Sequence, residues 1–219
     1  MKTESFGFAP SWVDFAIVLL MGVGLWRGRK RGMSEELLDI VKWALIVVVA
    51  AFLYEPGGRL LASMSVFSPL SCYLFVYVGI MLMVVTVFGF IRRGAGAKLV
   101  GSDVFGSAEY YLGMAAGAFR YTCMILVAMA FLNARYYTPE ELRASAKYQQ
   151  DNFGSNFFPS LPDLQQEVFK NSYVGRFTKE YLNVVLIQPT VSGDGKSLSG
   201  DDNIAHRRER SVYDVLDKR

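Results

Sequence analysis

Apolar residues in this chain are gathered into long blocks, and most of the charged residues lie between them. Four blocks are apparent, at about 11–26, 36–54, 70–91 and 110–133. A helix needs about 20 predominantly apolar residues to cross the hydrocarbon core of a bilayer, and the four blocks are close to that length. The pattern therefore predicts an all-α integral membrane protein with four transmembrane helices.

The residues after the fourth block are more polar and divide the chain into three regions. Residues 1–135 form the predicted membrane domain, and residues 136–189 form a predicted extramembrane helical tail with an amphipathic helix. Residues 190–219 are rich in Gly, Ser and Asp, so we expect a flexible C-terminus there.

The tail carries signals for two helices. Thr138 followed by Pro139 is typical of a helix start, and a second helix is predicted after Pro162. Apolar residues recur there at helical steps and form one face: Leu164, Val168, Phe177, Tyr181 and Val185. Two interpretations stay open. The face packs on the bundle or the outer leaflet, or it closes a small helical hairpin on itself.

The composition agrees with a membrane protein. Of the 219 residues, 52% are hydrophobic and 20% are charged, and the mean hydropathy is +0.25. Soluble domains carry about 25% charged residues. The net charge of +3 is too small to indicate a nucleic-acid partner. We expect the lipid bilayer to be the main partner of this chain.

The sequence offers little support for enzyme chemistry. The single histidine, His206, lies in the C-terminal region, and the chain contains neither a P-loop nor a Rossmann fingerprint. Cys72 and Cys123 fall inside apolar blocks, where cysteine behaves as a small hydrophobic residue. We therefore expect no catalytic residues, no cofactor and no metal site.

Basic residues predict the orientation of the membrane domain. Those that decide it follow the first and third blocks: Arg27, Arg29, Lys30, Arg31, Arg92 and Arg93. Short loops rich in Lys and Arg stay on the cytoplasmic side. With four spans, the N-terminus and the C-terminal tail are then both predicted to lie outside.

Asp14 is an acidic residue at the head of the first block, two residues after Trp12. Its carboxylate suits the first turn of a helix, where the helix dipole favours anions, and Trp12 suits the membrane interface. An intramembrane acid can also bind a proton or an ion along a transport path. Both interpretations stay open at this stage.

Arg120 lies about ten residues inside the fourth block, which places it roughly 15 Å from the cytoplasmic end. An unpaired Arg at that depth costs about 2.5–3.5 kcal/mol. Glu36 and Asp39 begin the second block at a similar depth. We expect an ion pair of Arg120 with Asp39 or Glu36, acting either as a structural link or as part of a transport relay.

Gly113 and Gly117 form a GxxxG unit in the fourth block. Small residues four apart let helix backbones approach closely in lipid. We expect this unit to pack against another span of the same chain, with Gly22 and Gly24 as the groove that receives it.

Two stretches together resemble the colicin V production (CvpA) protein family. The first is "SWVDFAIVLLMGVGLWRGRKRGMSEELLDIVKWA", and the second is "SAEYYLGMAAGAFRY". The positions that carry the resemblance are Trp12, Asp14, Gly28, Arg29, Arg31, Gly32, Glu36, Trp43, Gly113, Gly117 and Arg120. Glu109 and Tyr110 depart from the family pattern, which more often has Asp and Arg there.

The resemblance implies a four-span protein of the bacterial cytoplasmic (inner) membrane. It also implies a role in colicin V production, a toxin biosynthetic process, through secretion or envelope assembly without catalysis. The alternative is an oligomeric channel or small transporter whose path is lined by the intramembrane charges. Either function leaves room for a homo-oligomer or a membrane protein partner.

Overall fold

The computed structural model describes residues 11–64, 67–99, 106–138, 141–143, 145, 147 and 160–191. Within this part of the chain, three helices are long and apolar enough to cross a membrane: α1 (Trp12–Met64), α2 (Pro69–Leu99) and α3 (Glu109–Asn133). A short 3₁₀ turn, Gly106–Ala108, leads into α3. The protein is a multi-pass α-helical membrane protein.

Helix α1 has 53 residues and is interrupted at one point. Gly32 has φ 77° and ψ 169°, outside the helical region of the backbone. A positive φ of this kind favours glycine, which has no Cβ. At about 1.5 Å per residue an unbroken helix of this length would measure roughly 80 Å, far more than the hydrocarbon core of a bilayer. Gly32 therefore divides α1 into two shorter segments, 12–31 and 33–64.

The segment 12–31 runs antiparallel to α3. At its start, Val13 lines the same apolar cavity as Met129, near the end of α3. Towards its end, Gly28 lies against Gly113, near the start of α3. The two helices are thus in contact along most of their length with opposite chain directions.

The segment 33–64 runs in the other direction, parallel to α3. Ser34 contacts Glu109 at the start of α3, and Glu36 contacts Arg120 further along it. The chain therefore reverses at Gly32 without a loop. The sequence pattern predicted a loop between the blocks 11–26 and 36–54. That prediction is wrong, because helical residues continue up to 31 and resume at 33.

Helix α2 packs antiparallel to the segment 33–64. Tyr54 meets Tyr77 near one end, and Asp39 faces Arg92 near the other. α2 ends at Leu99, beyond the predicted limit of 91, and the segment before it ends at Met64, beyond the predicted limit of 54. The helical part of the membrane domain is longer than its apolar blocks.

The tail forms a compact unit at one end of these helices. It contains α4 (Leu161–Gln166), a π-helical turn (Glu167–Asn171), α5 (Tyr173–Tyr181) and a 3₁₀ turn (Asn183–Val185). Strand β1 (Arg135–Tyr136), directly after α3, pairs in parallel with β2 (Thr190–Val191). We call residues 160–191 the tail cap.

Two predictions for the tail need correction. The amphipathic face was expected on one helix after Pro162, but a break at Ser172 separates α4 and its π-helical turn from α5. Thr190 is fully buried and Val191 pairs in β2, so order extends past the predicted boundary at 189. The remainder of the predicted flexible C-terminus, 192–219, lies outside the described residues.

The apolar face of the tail divides between the bundle and the surface. Val168 is buried and Leu164 packs against the bundle core. Phe177 and Tyr181 are 46% and 66% exposed, and their rings lie against each other at 4.8 Å. The tail cap thus packs on the bundle through Leu164 and Val168 and again through Val185 and Ile187, so it is not a hairpin that buries its whole apolar face on itself.

The bundle has a small core and an apolar exterior. Ile46, Ala50 and Tyr77 are fully buried or nearly so, whereas Phe15 and Phe90 are 72% and 66% exposed. Large exposed apolar surfaces are unusual in soluble monomers. Their presence around the bundle fits a surface covered by lipid.

A line of glycines holds α1 and α3 together, and we call it the glycine seam: Gly24, Gly28, Gly32, Gly113 and Gly117. A Cβ added to any of these would collide with the facing backbone or side chain. The GxxxG unit of α3 therefore packs within the chain. The groove that receives it includes Gly24 but not Gly22, which has open space around its Cβ position.

The seam yields a paired prediction on one helix. Gly28→Ala should lower the free energy of unfolding by about 1–3 kcal/mol, because the new methyl group overlaps the backbone of Gly113. Gly22→Ala is the matched control and should be neutral or stabilising by up to about 1 kcal/mol. Reversible unfolding in mixed detergent micelles, followed by circular dichroism, measures both. Equal effects of the two substitutions would contradict the close approach at Gly28.

Candidate functional site

The most unusual feature of the membrane domain is a group of charges between its helices, which we call the charge cluster: Arg31, Glu36, Asp39, Lys42, Arg92 and Arg120. The carboxylates come from the first turns after the reversal at Gly32, since Glu36 and Asp39 lie three residues apart on one helix face. α2 and α3 each supply one arginine.

Arg120 is at the centre of the cluster. Its Nη1 donates to Glu36 Oε2 at 2.6 Å and to Asp39 Oδ2 at 3.3 Å. Glu36 is fully buried and Arg120 is 6% exposed. The sequence left open which acid would pair with Arg120, and the structure brings both into contact with it.

The outer cations complete the balance of charge. Lys42 Nζ donates to Asp39 Oδ1 at 2.6 Å, and Arg31 Nη1 lies 3.5 Å from Glu36 Oε1. Arg92 lies 4.0 Å from Asp39 and is more than half exposed. Each carboxylate therefore has more than one cationic neighbour, and no acid in the cluster is left as an uncompensated charge in lipid.

The glycine seam determines where the cluster lies. The break at Gly32 turns the chain back along α3, so the next turns of helix face Arg120. Glu109, at the start of α3, accepts from Ser34 N at 2.6 Å and from Ser34 Oγ at 3.2 Å. These two hydrogen bonds hold the turn at Gly32 against α3 and give the buried Glu109 carboxylate its partners.

Asp14 lies at the other end of the bundle and binds the tail cap. Its Oδ1 accepts from Ser172 Oγ at 2.6 Å and from Val174 N at 3.3 Å, and its Oδ2 accepts from Tyr173 N at 3.1 Å. Oδ2 also accepts from Ser11 N at 3.3 Å. The carboxylate thus serves the start of its own helix, as the pattern predicted, and also caps the N-terminus of α5.

Further hydrogen bonds join the tail cap to the same end of the bundle. Ser11 Oγ donates to Glu167 Oε1 at 2.7 Å, and Gln165 Nε2 donates to the carbonyl of Leu132 at 2.8 Å. Asn133 Nδ2 donates to Ile187 O at 2.9 Å, and the backbone N–H of Gln188 donates to the hydroxyl of Tyr54 at 3.1 Å.

The residues predicted to set topology lie at the end opposite the tail cap. Arg31 and Arg92 both approach Asp39, so the two basic stretches, 27–31 and 92–93, are neighbours. Arg27, Arg29, Lys30 and Arg93 are exposed. The bundle therefore has one basic end and one end covered by the tail cap.

Several residues of the site carried no role in the sequence analysis. Ser34, Gly28 and Gly32 position the reversal, and Tyr54 and Asn133 hold the tail cap. The four-residue spacing of Gly24, Gly28 and Gly32 was visible in the sequence and could have identified the seam. No local pattern marks Tyr54 or Asn133.

The chemistry of this site is electrostatic. Among the described residues, no three His, Cys, Asp or Glu side chains come together as a metal site would require. The ion pairs of the charge cluster join the segments 12–31 and 33–64, α2 and α3. Removing one partner of a buried ion pair costs about 3–5 kcal/mol, so these pairs stabilise the arrangement of the helices. The network joins α2 and α3 to the turns of α1 that follow Gly32.

Arg120→Met should lower the free energy of unfolding by about 3–5 kcal/mol, because Glu36 would lose its closest partner while staying buried. We expect the loss in the double variant R120M/E36M to be clearly smaller than the sum of the two single losses. Unfolding in mixed micelles, followed by circular dichroism, gives all three values.

Arg59→Met is the matched control, since Arg59 forms an exposed pair with Glu55 on the same α1. That substitution should cost less than about 1 kcal/mol. If the losses in R120M and E36M simply add in the double variant, the two side chains do not stabilise each other.

Comparison with known proteins gives one result for this chain. No match was found among curated proteins or among solved structures. The family model described as colicin V production protein matches residues 13–152. That range contains α2, α3, all of α1 except Trp12, the glycine seam and the whole charge cluster, and it covers more than half of the sequence. The chain therefore belongs to the colicin V production protein family.

Proposed function

We propose that this protein is a non-catalytic scaffold of the bacterial cytoplasmic membrane that supports colicin V production through secretion or envelope assembly. The observation that carries the proposal is that the polar residues of the membrane domain bind one another or the tail cap. Glu36 and Arg120 are buried against each other, and Asp14 is occupied by the tail cap. These groups hold the molecule together.

A channel would use such charges differently. Charges that conduct an ion or a proton line a water-filled path and are reached by solvent. Glu36 is fully buried, and Arg120 is 6% exposed, so neither side chain faces an open path in this conformation. This burial favours the scaffold over the oligomeric channel or small transporter.

The tail cap is the part of the scaffold best placed to meet a partner outside the bilayer. It is joined by hydrogen bonds to Ser11, Asp14, Tyr54 and Asn133, which lie on three of the helical segments. Its outer surface presents Tyr173, Phe177 and Tyr181, all exposed. A rigid platform with exposed aromatic residues suits binding to another envelope protein.

The scaffold includes a proposed arrangement in the membrane. The segments 12–31 and 33–64, with α2 and α3, would cross the bilayer four times, because the chain reverses at Gly32. The basic end would lie in the cytoplasm according to the positive-inside rule. The tail cap and the start of α1 would then lie outside.

Cysteine labelling of intact cells tests this arrangement. Glu180→Cys on α5 should react with a membrane-impermeant maleimide from outside, and Gly94→Cys on α2 should react only after permeabilisation. Both positions are exposed, and Gly94 has open space around its Cβ position. Labelling of both from the same side would contradict the single crossing, α3, that separates the two positions, and reversed labelling would contradict the orientation.

Complementation tests the function itself. In a bacterium that carries the colicin V genes and lacks this protein, the wild-type chain should restore toxin release. Asp14→Ala should lower release about tenfold or more, because α5 loses the acceptor for Ser172 and for two backbone N–H groups. Glu180→Gln, an exposed change in the same tail cap, is the control and should restore release fully.

Flux through proteoliposomes separates the scaffold from the channel. Vesicles with purified wild-type protein should pass no more ions or small solutes than empty vesicles. A flux that is present in wild type and disappears in Arg120→Leu would overturn the scaffold and favour the channel.

A further inference from the structure

A groove at the basic end of the bundle has a composition unlike the rest of the lipid-facing surface. It lies between the end of segment 12–31 and the first turns of α3, encloses about 490 Å³, and is lined by Trp26, Arg29, Lys30, Tyr110, Tyr111 and Met114. The glycine seam creates it, because Gly28 and Gly113 bring the two backbones together directly beside it.

The positive charge of this groove is not balanced by a carboxylate within the described part of the chain. Among the described residues, neither Arg29 nor Lys30 forms an ion pair with a carboxylate. The neighbouring Glu109 is turned away to Ser34, and the neighbouring Arg31 is directed to Glu36 and Asp39. The charge of the groove is therefore positive and available to an anionic ligand.

The aromatic residues place the groove at the membrane interface. Trp26 is 62% exposed and Tyr111 is 78% exposed, and Lys30 Nζ lies 4.0 Å from the centre of the Trp26 ring. Trp and Tyr rings are favoured at the level of the lipid headgroups. A ligand in the groove would have its charged part beside Arg29 and Lys30, and its apolar part beside Met114 and the outer face of α1.

We propose that this groove binds the headgroup of an anionic phospholipid in the leaflet at the basic end. Charge complementarity selects a phosphodiester lipid that carries a net negative charge over a zwitterionic one, because a zwitterionic headgroup brings its own cation to Arg29 and Lys30. Basic pockets between membrane helices bind anionic headgroups in this way. The bound lipid is a fixed part of the surface between α1 and α3.

Quenching of Trp26 by brominated lipids tests the site in the full chain. The variant Trp12→Phe/Trp43→Phe leaves Trp26 as the single tryptophan of the three. It is reconstituted into phosphatidylcholine vesicles that contain increasing amounts of brominated phosphatidylglycerol, or of brominated phosphatidylcholine. Half-maximal quenching should need a smaller mole fraction of brominated phosphatidylglycerol than of brominated phosphatidylcholine. The ratio of the two mole fractions should be about fivefold for each basic residue that contacts the headgroup.

Two charge-matched double variants distinguish a site from a general surface effect. In that background, Arg29→Gln/Lys30→Gln should bring the phosphatidylglycerol curve onto the phosphatidylcholine curve. Arg27→Gln/Arg93→Gln removes the same charge from exposed positions that do not line the groove, and it should keep the preference. Equal loss in both variants, or no preference in the parent, would overturn the proposal.

A soluble anion is the competing ligand. Inorganic phosphate in excess, with sodium chloride at the same ionic strength as reference, should leave the preference for phosphatidylglycerol unchanged. Loss of the preference with phosphate but not with chloride would mean that the groove binds free phosphate, and this result would overturn the lipid assignment. Circular dichroism and elution as a single species show that each variant is folded.

Discussion

Close contact between two backbones is the constraint on which this structure depends. Along the glycine seam, α1 and α3 approach so closely that a Cβ at any of the five glycines would collide with the facing helix. In lipid, packing of this kind replaces the hydrophobic effect as a cause of helix association. Because Gly32 lies in the same seam, the approach and the reversal of the chain are one feature. The charge cluster follows from it, since the reversal carries Glu36 and Asp39 towards Arg120.

The two ends of the bundle are stabilised by different interactions. At the basic end, ion pairs join residues of α1, α2 and α3, and a second set of cations stays exposed. At the other end, hydrogen bonds between the tail cap and three helical segments close the bundle. A charge away from water is tolerated only when it has partners, and the carboxylates at both ends have them: Glu36 pairs with Arg120, and Asp14 accepts from Ser172 and from two backbone N–H groups of the tail cap.

Much of the membrane domain could be predicted from sequence because lipid imposes simple rules. The apolar blocks and the need of Arg120 for an acid follow from the cost of exposing charge in a bilayer. The reversal at Gly32 was missed because the stretch around Arg29 and Lys30 is polar and was assigned to a loop, although it is helical up to the glycine. Only the helix-start role of Asp14 could be read, because its second partner Ser172 lies 158 residues away and no local pattern joins them.

The bond between Asp14 and Ser172 has a consequence for the order of biosynthesis. The two residues are 158 positions apart, and a ribosome adds about 5–20 residues per second, so roughly 8–30 s separate their synthesis. During that interval the first segment must already be inserted while its final partner has not yet been made. Closure of the molecule is therefore a late step, because it requires α3 and the tail beyond it, which are the last described parts of the chain to be synthesised.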